Sequence, residues 1–133
     1  MTPTPAISPC FVVTNVPRSV AFYRDHLGFT VTLLEPDEGP FFAIVVRDGA
    51  QLFLKSERGI APQPNHTRHP HLRLDAFVYA PDPDALAAEF AATNTPFTVP
   101  LQDTHDGLRG FELHDPTATT SSSAGPANAP PRL

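Results

Sequence analysis

The sequence predicts an α+β protein made of two copies of one strand–helix–three-strand (βαβββ) unit. Two observations support this prediction: a short amphipathic helix flanked by strands near the N-terminus, and an internal repeat with a constant offset of 67 residues. The repeat matches five pairs of positions: Ser8 with Asp75, Asn15 with Asp82, Tyr23 with Phe90, Leu27 with Asn94, and Asp48 with Asp115. Because one such unit leaves a face of its sheet uncovered, we expect the two units to associate.

The first helix is predicted over Val16–Leu27. Asn15 can cap the free N–H groups of its first turn, and Pro17 is tolerated there because that N–H would have no helical partner. Gly28 suits the left-handed residue that commonly ends a helix. The apolar face consists of residues at helical spacing: Val20, Tyr23 and Leu27.

Four segments of the first half have the apolar character of strands: Ser8–Val13, Thr30–Leu34, Phe41–Arg47 and Gln51–Lys55. Asp48 and Gly49 separate the last two segments, and an Asp-Gly pair is a strong signal for a β-hairpin turn. The first unit is therefore assigned to residues 6–55.

The second half repeats this order: a strand at Leu74–Tyr79, a helix at Pro83–Thr93, and strands at Phe97–Val99 and Gly110–His114. We assign the second unit to residues 73–116 and the polar, proline-containing segment 56–72 to a linker. Residues 1–116 are then expected to form a single domain. The linker histidines are expected to be exposed to solvent: His66, His69 and His71.

The second copy departs from the first after Asp115-Pro116. The Thr/Ser-rich segment that follows lacks apolar alternation, so we expect the final strand of the second unit to be lost and residues 117–133 to form a disordered or aberrant tail. A frameshift is one hypothesis: a nucleotide lost at Pro116 would leave an apolar strand encoded in the neighbouring frame. Deleting residues 118–133 is then expected to change the melting temperature little.

Composition narrows the possible functions. The net charge of −5 disfavours nucleic-acid binding and slightly favours a cationic guest, and no apolar run approaches the length that spans a membrane. The single cysteine, Cys10, excludes an internal disulfide. Because the first five residues also lack the features of a signal peptide, a cytoplasmic location is expected.

Residues Asn15–Phe29 form the pattern Asn-Val-x-x-Ser-x-x-Phe-Tyr-x-x-x-Leu-Gly-Phe. This pattern resembles the first helix of the glyoxalase/bleomycin-resistance/extradiol-dioxygenase (vicinal oxygen chelate) superfamily, and the resemblance extends over residues 6–116. It implies curved mixed sheets around a cavity, and association as a homodimer.

The resemblance also implies where a metal would bind in enzymes of the superfamily, which take one ligand from each of four inner strands. These positions correspond to Ser8, Phe53, Asp75 and a residue near Ser122. One carboxylate among four positions is too few for a catalytic divalent ion. We therefore expect no bound metal and no other cofactor, and no catalytic residues are assigned.

The same register implies a set of ligand-binding candidates: Ser8, Cys10, Phe53, Asp75 and Phe77. A carboxylate in the apolar strand 74–79 is costly to bury unless it is paired. Two alternatives stay open for Asp75: a salt bridge to Arg73 or Arg109, or a contact to a cationic or hydrogen-bonding ligand.

These expectations favour a metal-independent, small-molecule binding protein of the bleomycin-resistance-like branch, which could sequester a drug or metabolite. The alternative is a metal-dependent lyase or dioxygenase of the same superfamily, with a metal site that the register misplaces or that the altered tail has removed. Metal analysis of the purified protein distinguishes the two.

Overall fold

A computed structural model describes residues 6–117 and 119–127 of the chain. The chain divides into two compact units, Met1–Pro62 and Gln63–Leu133, and each contains one four-stranded mixed sheet. This architecture confirms the predicted α+β fold of two βαβββ units. Among the described residues, no helix has both the length and the apolar character that crossing a bilayer requires.

The first unit contains five elements: β1 (Cys10–Val12), α1 (Val16–Asp25), β2 (Thr30–Glu35), β3 (Phe42–Arg47) and β4 (Ala50–Lys55). Its sheet, sheet A, has the strand order β1-β4-β3-β2. The last strand of the unit, β4, is therefore central, parallel to β1 and antiparallel to β3.

The second unit contains six elements: α2 (Asn65–Arg68), β5 (Ala76–Tyr79), α3 (Pro83–Ala92), β6 (Val99–Asp103), β7 (Leu108–His114) and β8 (Thr120–Pro126). Its sheet, sheet B, has the order β5-β8-β7-β6, so that β8 has the place in this unit that β4 has in the first. The single turn of α2 lies inside the predicted linker.

Both long helices begin at the predicted caps. The side chain of Asn15 accepts a hydrogen bond from the backbone N–H of Arg18 at 3.0 Å, and Asp82 accepts one from Ala85 at 3.1 Å. Gly28 has φ of 73°, as expected after α1. The helices α1 and α3 are related by the 67-residue offset at both ends, which confirms the repeat over this part of the chain.

The core of each unit lies between its long helix and one face of its sheet. In the first unit this layer consists of buried apolar residues on α1, β3 and β4 and in or directly after β1: Val16, Val20, Tyr23, Phe11, Val13, Ala43, Val45, Leu52 and Leu54. In the second unit, Phe111 and Leu113 of β7 are fully buried, and Phe111 packs edge-on against Phe90 of α3. Each sheet therefore also has a face that its long helix does not cover, here called the helix-free face.

The expectation that the second unit has lost its final strand is wrong over Thr120–Pro126. This segment forms β8, which pairs with β5 on one side and with β7 on the other. Small side chains are sufficient here because a central strand makes backbone hydrogen bonds on both sides, and because apolar neighbours such as Phe111 and Leu113 supply the core. Residue 118 and residues 128–133 of the predicted tail lie outside the described residues, and the frameshift stays a hypothesis that sequencing the gene would test.

The turn before β8 is longer than the corresponding Asp48-Gly49 hairpin. The buried carboxylate of Asp115 accepts hydrogen bonds from the backbone N–H groups of Thr117 and Thr119, at 2.8 and 3.0 Å. This capped turn shifts the register, so that Phe77 pairs with Ser122 in the way that Cys10 pairs with Phe53. Removing β8 would expose both neighbouring strands, so deleting residues 118–133 is now expected to unfold the unit.

Substituting Gly110 tests the placement of β8. A Cβ at this position would lie 2.3 Å from the carbonyl oxygen of Ser123 and 2.6 Å from the Cβ of Ala124. We expect Gly110→Ala to lower the free energy of unfolding by about 2–3 kcal/mol, as overpacking does. Gly49→Ala is the matched control, because a Cβ there meets no heavy atom within 4 Å. Equal stability of the two variants in urea denaturation would show that β8 does not pair with β7 in this register.

Candidate ligand-binding site

The helix-free face of sheet A carries three rows of side chains that run across the strands. The first row consists of Glu35, Phe42, Lys55 and Val12. The middle row consists of Leu33, Ile44, Phe53 and Cys10. The third row contains Val46 and Gln51, and Ser8 lies beside Gln51. Cross-strand partners point to the same side of a sheet, so that each row forms a continuous strip. The face is apolar in its middle row and polar at both ends.

Phe53 lies at the centre of this face. Its ring meets that of Phe42 edge-on, with centroids 5.6 Å apart, and its backbone N–H donates to the carbonyl oxygen of Pro9 at 2.9 Å. The thiol of its neighbour Cys10 is free and exposed. At the far end, the amide nitrogen of Gln51 donates a hydrogen bond to the Ser8 hydroxyl at 2.9 Å. The structure therefore brings Ser8, Cys10 and Phe53 together on one surface.

An open groove of about 580 Å³ lies at one end of the helix-free face, where β2 leads into β3. Six residues line it: Glu35, Pro36, Asp37, Phe41, Phe42 and Lys55. The Lys55 ammonium lies 5.1 Å from the centroid of the Phe41 ring, which is a cation–π contact. None of these residues was among the predicted ligand-binding residues, although the alternation in Phe41–Arg47 places Phe42 on the same face as Phe53.

The helix-free face of sheet B has a different character. Phe77 and Tyr79 are 52% and 62% exposed, and Ser122 is the cross-strand partner of Phe77. On the other side of Ser122, Glu112 forms an ion pair with Arg73. Exposed aromatic rings, a hydroxyl group and charged groups therefore lie side by side on this face.

Asp75 is held by backbone groups. One carboxylate oxygen accepts from the N–H of Asn65 at 2.9 Å and the other from the N–H of Thr120 at 2.8 Å, while the Asp75 N–H donates to the Thr120 carbonyl at 2.8 Å. The carboxylate thus joins the start of α2 to the start of β8. Its role in ligand binding stays a prediction.

The predicted salt bridge of Asp75, to Arg73 or to Arg109, is wrong for both partners. Arg73 pairs with Glu112, and Arg109 pairs with Asp84 and Asp103 at 2.8 and 3.2 Å. Hydrogen bonds to these two carboxylates raise the pKa of the Arg109 guanidinium above its usual value.

The residues at the four inner-strand positions do not fit a divalent metal ion. Phe53 has no donor atom, Ser8 offers a hydroxyl already bonded to Gln51, and the Asp75 carboxylate is taken up by two N–H groups. The fourth position, at Ser122, supplies only another hydroxyl. Across residues 6–117 and 119–127, no group of three or more His, Cys, Asp or Glu side chains is arranged to hold a metal.

Two of the three linker histidines are exposed as expected. His69 and His71 lie in the segment after α2, with ring centroids 5.2 Å apart. His66, on α2, is only half-exposed, because its ring stacks on that of His114 with centroids 5.0 Å apart and planes 8° from parallel. The expectation of full exposure is therefore wrong for His66.

Two βαβββ units, each with a helix on one sheet face, define a class of small α+β proteins. The chain belongs to the glyoxalase/bleomycin resistance protein/dioxygenase superfamily, whose family model matches residues 7–118. No curated protein sequence matches the chain.

Solved structures share the fold at low sequence identity. TioX from Micromonospora sp. ML1 has a TM-score of 0.72 at 18% identity, over 92% of this chain and 98% of its own. The bleomycin-binding protein of Streptomyces verticillus, solved with copper(II)-bleomycin, has a TM-score of 0.65 at 23% identity, over 92% and 97%. TnmS3, an antibiotic-binding protein from Streptomyces sp. CB03234, has a TM-score of 0.68 at 17% identity, over 96% and 99%.

The backbone contacts of Asp75 predict a structural effect of its substitution. Asp75→Asn keeps the shape but places an amide group against backbone N–H donors, so we expect the free energy of unfolding to fall by about 2–3 kcal/mol. Asp103→Asn is the control, because an exposed ion pair contributes about 1 kcal/mol or less. Chemical denaturation compares them, and an Asp75→Asn variant as stable as the wild type would show that the two N–H groups do not depend on this charge.

Proposed function

We propose that this chain is a metal-independent binding protein that sequesters a small drug or metabolite on the helix-free face of sheet A. The groove beside Phe42 supports this proposal most directly, since its volume falls within the range of roughly 300–1,000 Å³ of ligand pockets. Aromatic rings at Phe41, Phe42 and Phe53 provide apolar contact area, and charged groups stand at the rim.

The antibiotic-binding proteins that share the fold support the same proposal. One was solved with copper(II)-bleomycin, and another is described as an antibiotic-binding protein. At these identities the likeness shows the fold alone. The ligand class therefore has to be argued from the residues of this chain.

Metal independence is the second part of the proposal, and it rests on the donor atoms. Binding of a catalytic divalent ion needs several converging carboxylate or imidazole ligands, and the inner-strand positions offer one engaged carboxylate, two hydroxyls and a phenyl ring. Stoichiometric nickel, zinc, iron or manganese in the purified protein would overturn this part and favour a lyase or dioxygenase.

A thermal-shift screen of antibiotics and metabolites tests the binding proposal. A ligand that binds only the folded state stabilises it by about 2.7 kcal/mol at 100 times its Kd, which raises the melting temperature measurably. For a ligand found in this way, Phe42→Ala should weaken binding about 5- to 30-fold, because the apolar floor of the groove is removed.

Phe22→Ala is the matched control for that variant. Phe22 is a half-buried phenyl group on α1, next to His26, away from the helix-free face. A ligand whose affinity falls equally in both variants would not bind in the groove, and a panel with no stabilising ligand would count against a binding function.

We further propose that the chain forms a homodimer in the cytoplasm. Phe77 and Tyr79 expose two neighbouring rings on one face of β5, which favours a protein interface, and a free exposed thiol at Cys10 suits a reducing compartment. Sedimentation velocity should give the mass of two chains. Phe77→Ser combined with Tyr79→Ser should shift the equilibrium toward one chain, whereas a wild-type monomer at micromolar concentration would contradict the proposal.

A further inference from the structure

The groove of the first unit has opposite charges on the two sides of an aromatic floor. Glu35, Phe42 and Lys55 are cross-strand partners on the neighbouring strands β2, β3 and β4. Adjacent strands lie about 4.8 Å apart, so the backbones that carry the two charges are about 10 Å apart. Asp37, two residues after Glu35 in the chain, also lines the groove.

These charges are available to a ligand. Among the ion pairs of the described residues, none involves Glu35, Asp37 or Lys55. Lys55 contacts the ring of Phe41, and this cation–π contact keeps its ammonium at the groove wall. It is also the only lysine of the chain.

Backbone hydrogen bonds hold the two walls in place. The Phe41 N–H donates to the Glu35 carbonyl at 2.9 Å, and the Ser56 N–H donates to the Phe41 carbonyl at 3.0 Å. Phe41 therefore bridges the end of β2 to the end of β4, which fixes the separation of the acidic and basic sides before any ligand arrives.

Charge complementarity restricts the ligands that fit. A purely cationic ligand would leave Lys55 facing a cation, and a purely anionic one would meet Glu35 and Asp37. An aromatic body can pack on Phe42, which already meets Phe53 edge-on. A dipeptide, with two extended residues, spans about 7 Å. This length fits between the charged groups of Glu35 and Lys55, because their backbones are about 10 Å apart.

We propose that this groove binds an aromatic zwitterion, of the class formed by short aromatic peptides and related compounds, with its cationic group toward Glu35 and Asp37 and its anionic group toward Lys55. This inference rests on the proposed binding function and names the ligand class. It also adds an anionic group to the cationic guest that the net charge of −5 slightly favours.

Three forms of one dipeptide test the ligand class. Phenylalanyl-phenylalanine carries both charges, its N-acetyl form only the anion, and its C-terminal amide only the cation. Calorimetry on the full chain should show the zwitterion binding about 10-fold more tightly than either singly charged form. Lys55→Met should abolish the preference over the amide, and Glu35→Gln should reduce the preference over the N-acetyl form. Glu57→Gln, an exposed charge outside the groove lining, should change neither ratio.

A direct readout comes from the only lysine. With 13C-labelled lysine, one Cε resonance reports Lys55, and at equal occupancy it should shift further with the zwitterion than with the amide. If a compound from the antibiotic and metabolite panel binds while the three dipeptide forms bind equally or not at all, the zwitterion inference is overturned and the binding function stands. If neither the dipeptides nor any panel compound binds, both proposals fail.

Discussion

The last strand of each unit, β4 or β8, is the element on which the rest of the unit depends. It lies between the first strand and the third, parallel to one and antiparallel to the other. A parallel partner cannot be joined by a tight turn, so the chain has to pass through a helix and two more strands before the pairing is complete. The register of this long-range pairing, of β4 with β1 and of β8 with β5, determines which residues of the first strand face the helix and which face the opposite side.

The same constraint explains which parts of the fold the sequence predicts well. Caps such as Asn15 and Asp82 act within one turn, so the predicted starts of both helices match the structure. The strand Thr120–Pro126 depends on partners far along the chain, and its backbone pairing needs only side chains small enough to fit beside Gly110 and Ala80. Apolar alternation, the usual signal for a strand, is absent from such a segment.

The candidate site shows a similar division. Period-two alternation along each strand is enough to predict that Cys10 and Phe53 face the same side as the cavity, but their direct cross-strand pairing is seen only in the structure. The surroundings of Asp75 could not be predicted in this way, since its partners are backbone N–H groups at Asn65 and Thr120 whose positions depend on α2 and β8. A carboxylate in an apolar strand indicates a group that is costly to bury, but the sequence pattern does not indicate which groups form hydrogen bonds with it.

The net charge of the chain and the charges in the groove favour different classes of ligand. The groove determines which class binds, because a bound ligand contacts its residues directly. The chain carries 14 acidic and 9 basic residues, which as an average attracts cations. That average acts over a Debye length of about 10 Å or less, whereas a bound ligand meets individual groups at contact distance. In the groove those groups are two carboxylates and the ammonium of the only lysine, arranged around phenyl rings. Long-range attraction can therefore bring a cationic end toward the surface, and Lys55 then decides whether the other end of the molecule is accepted.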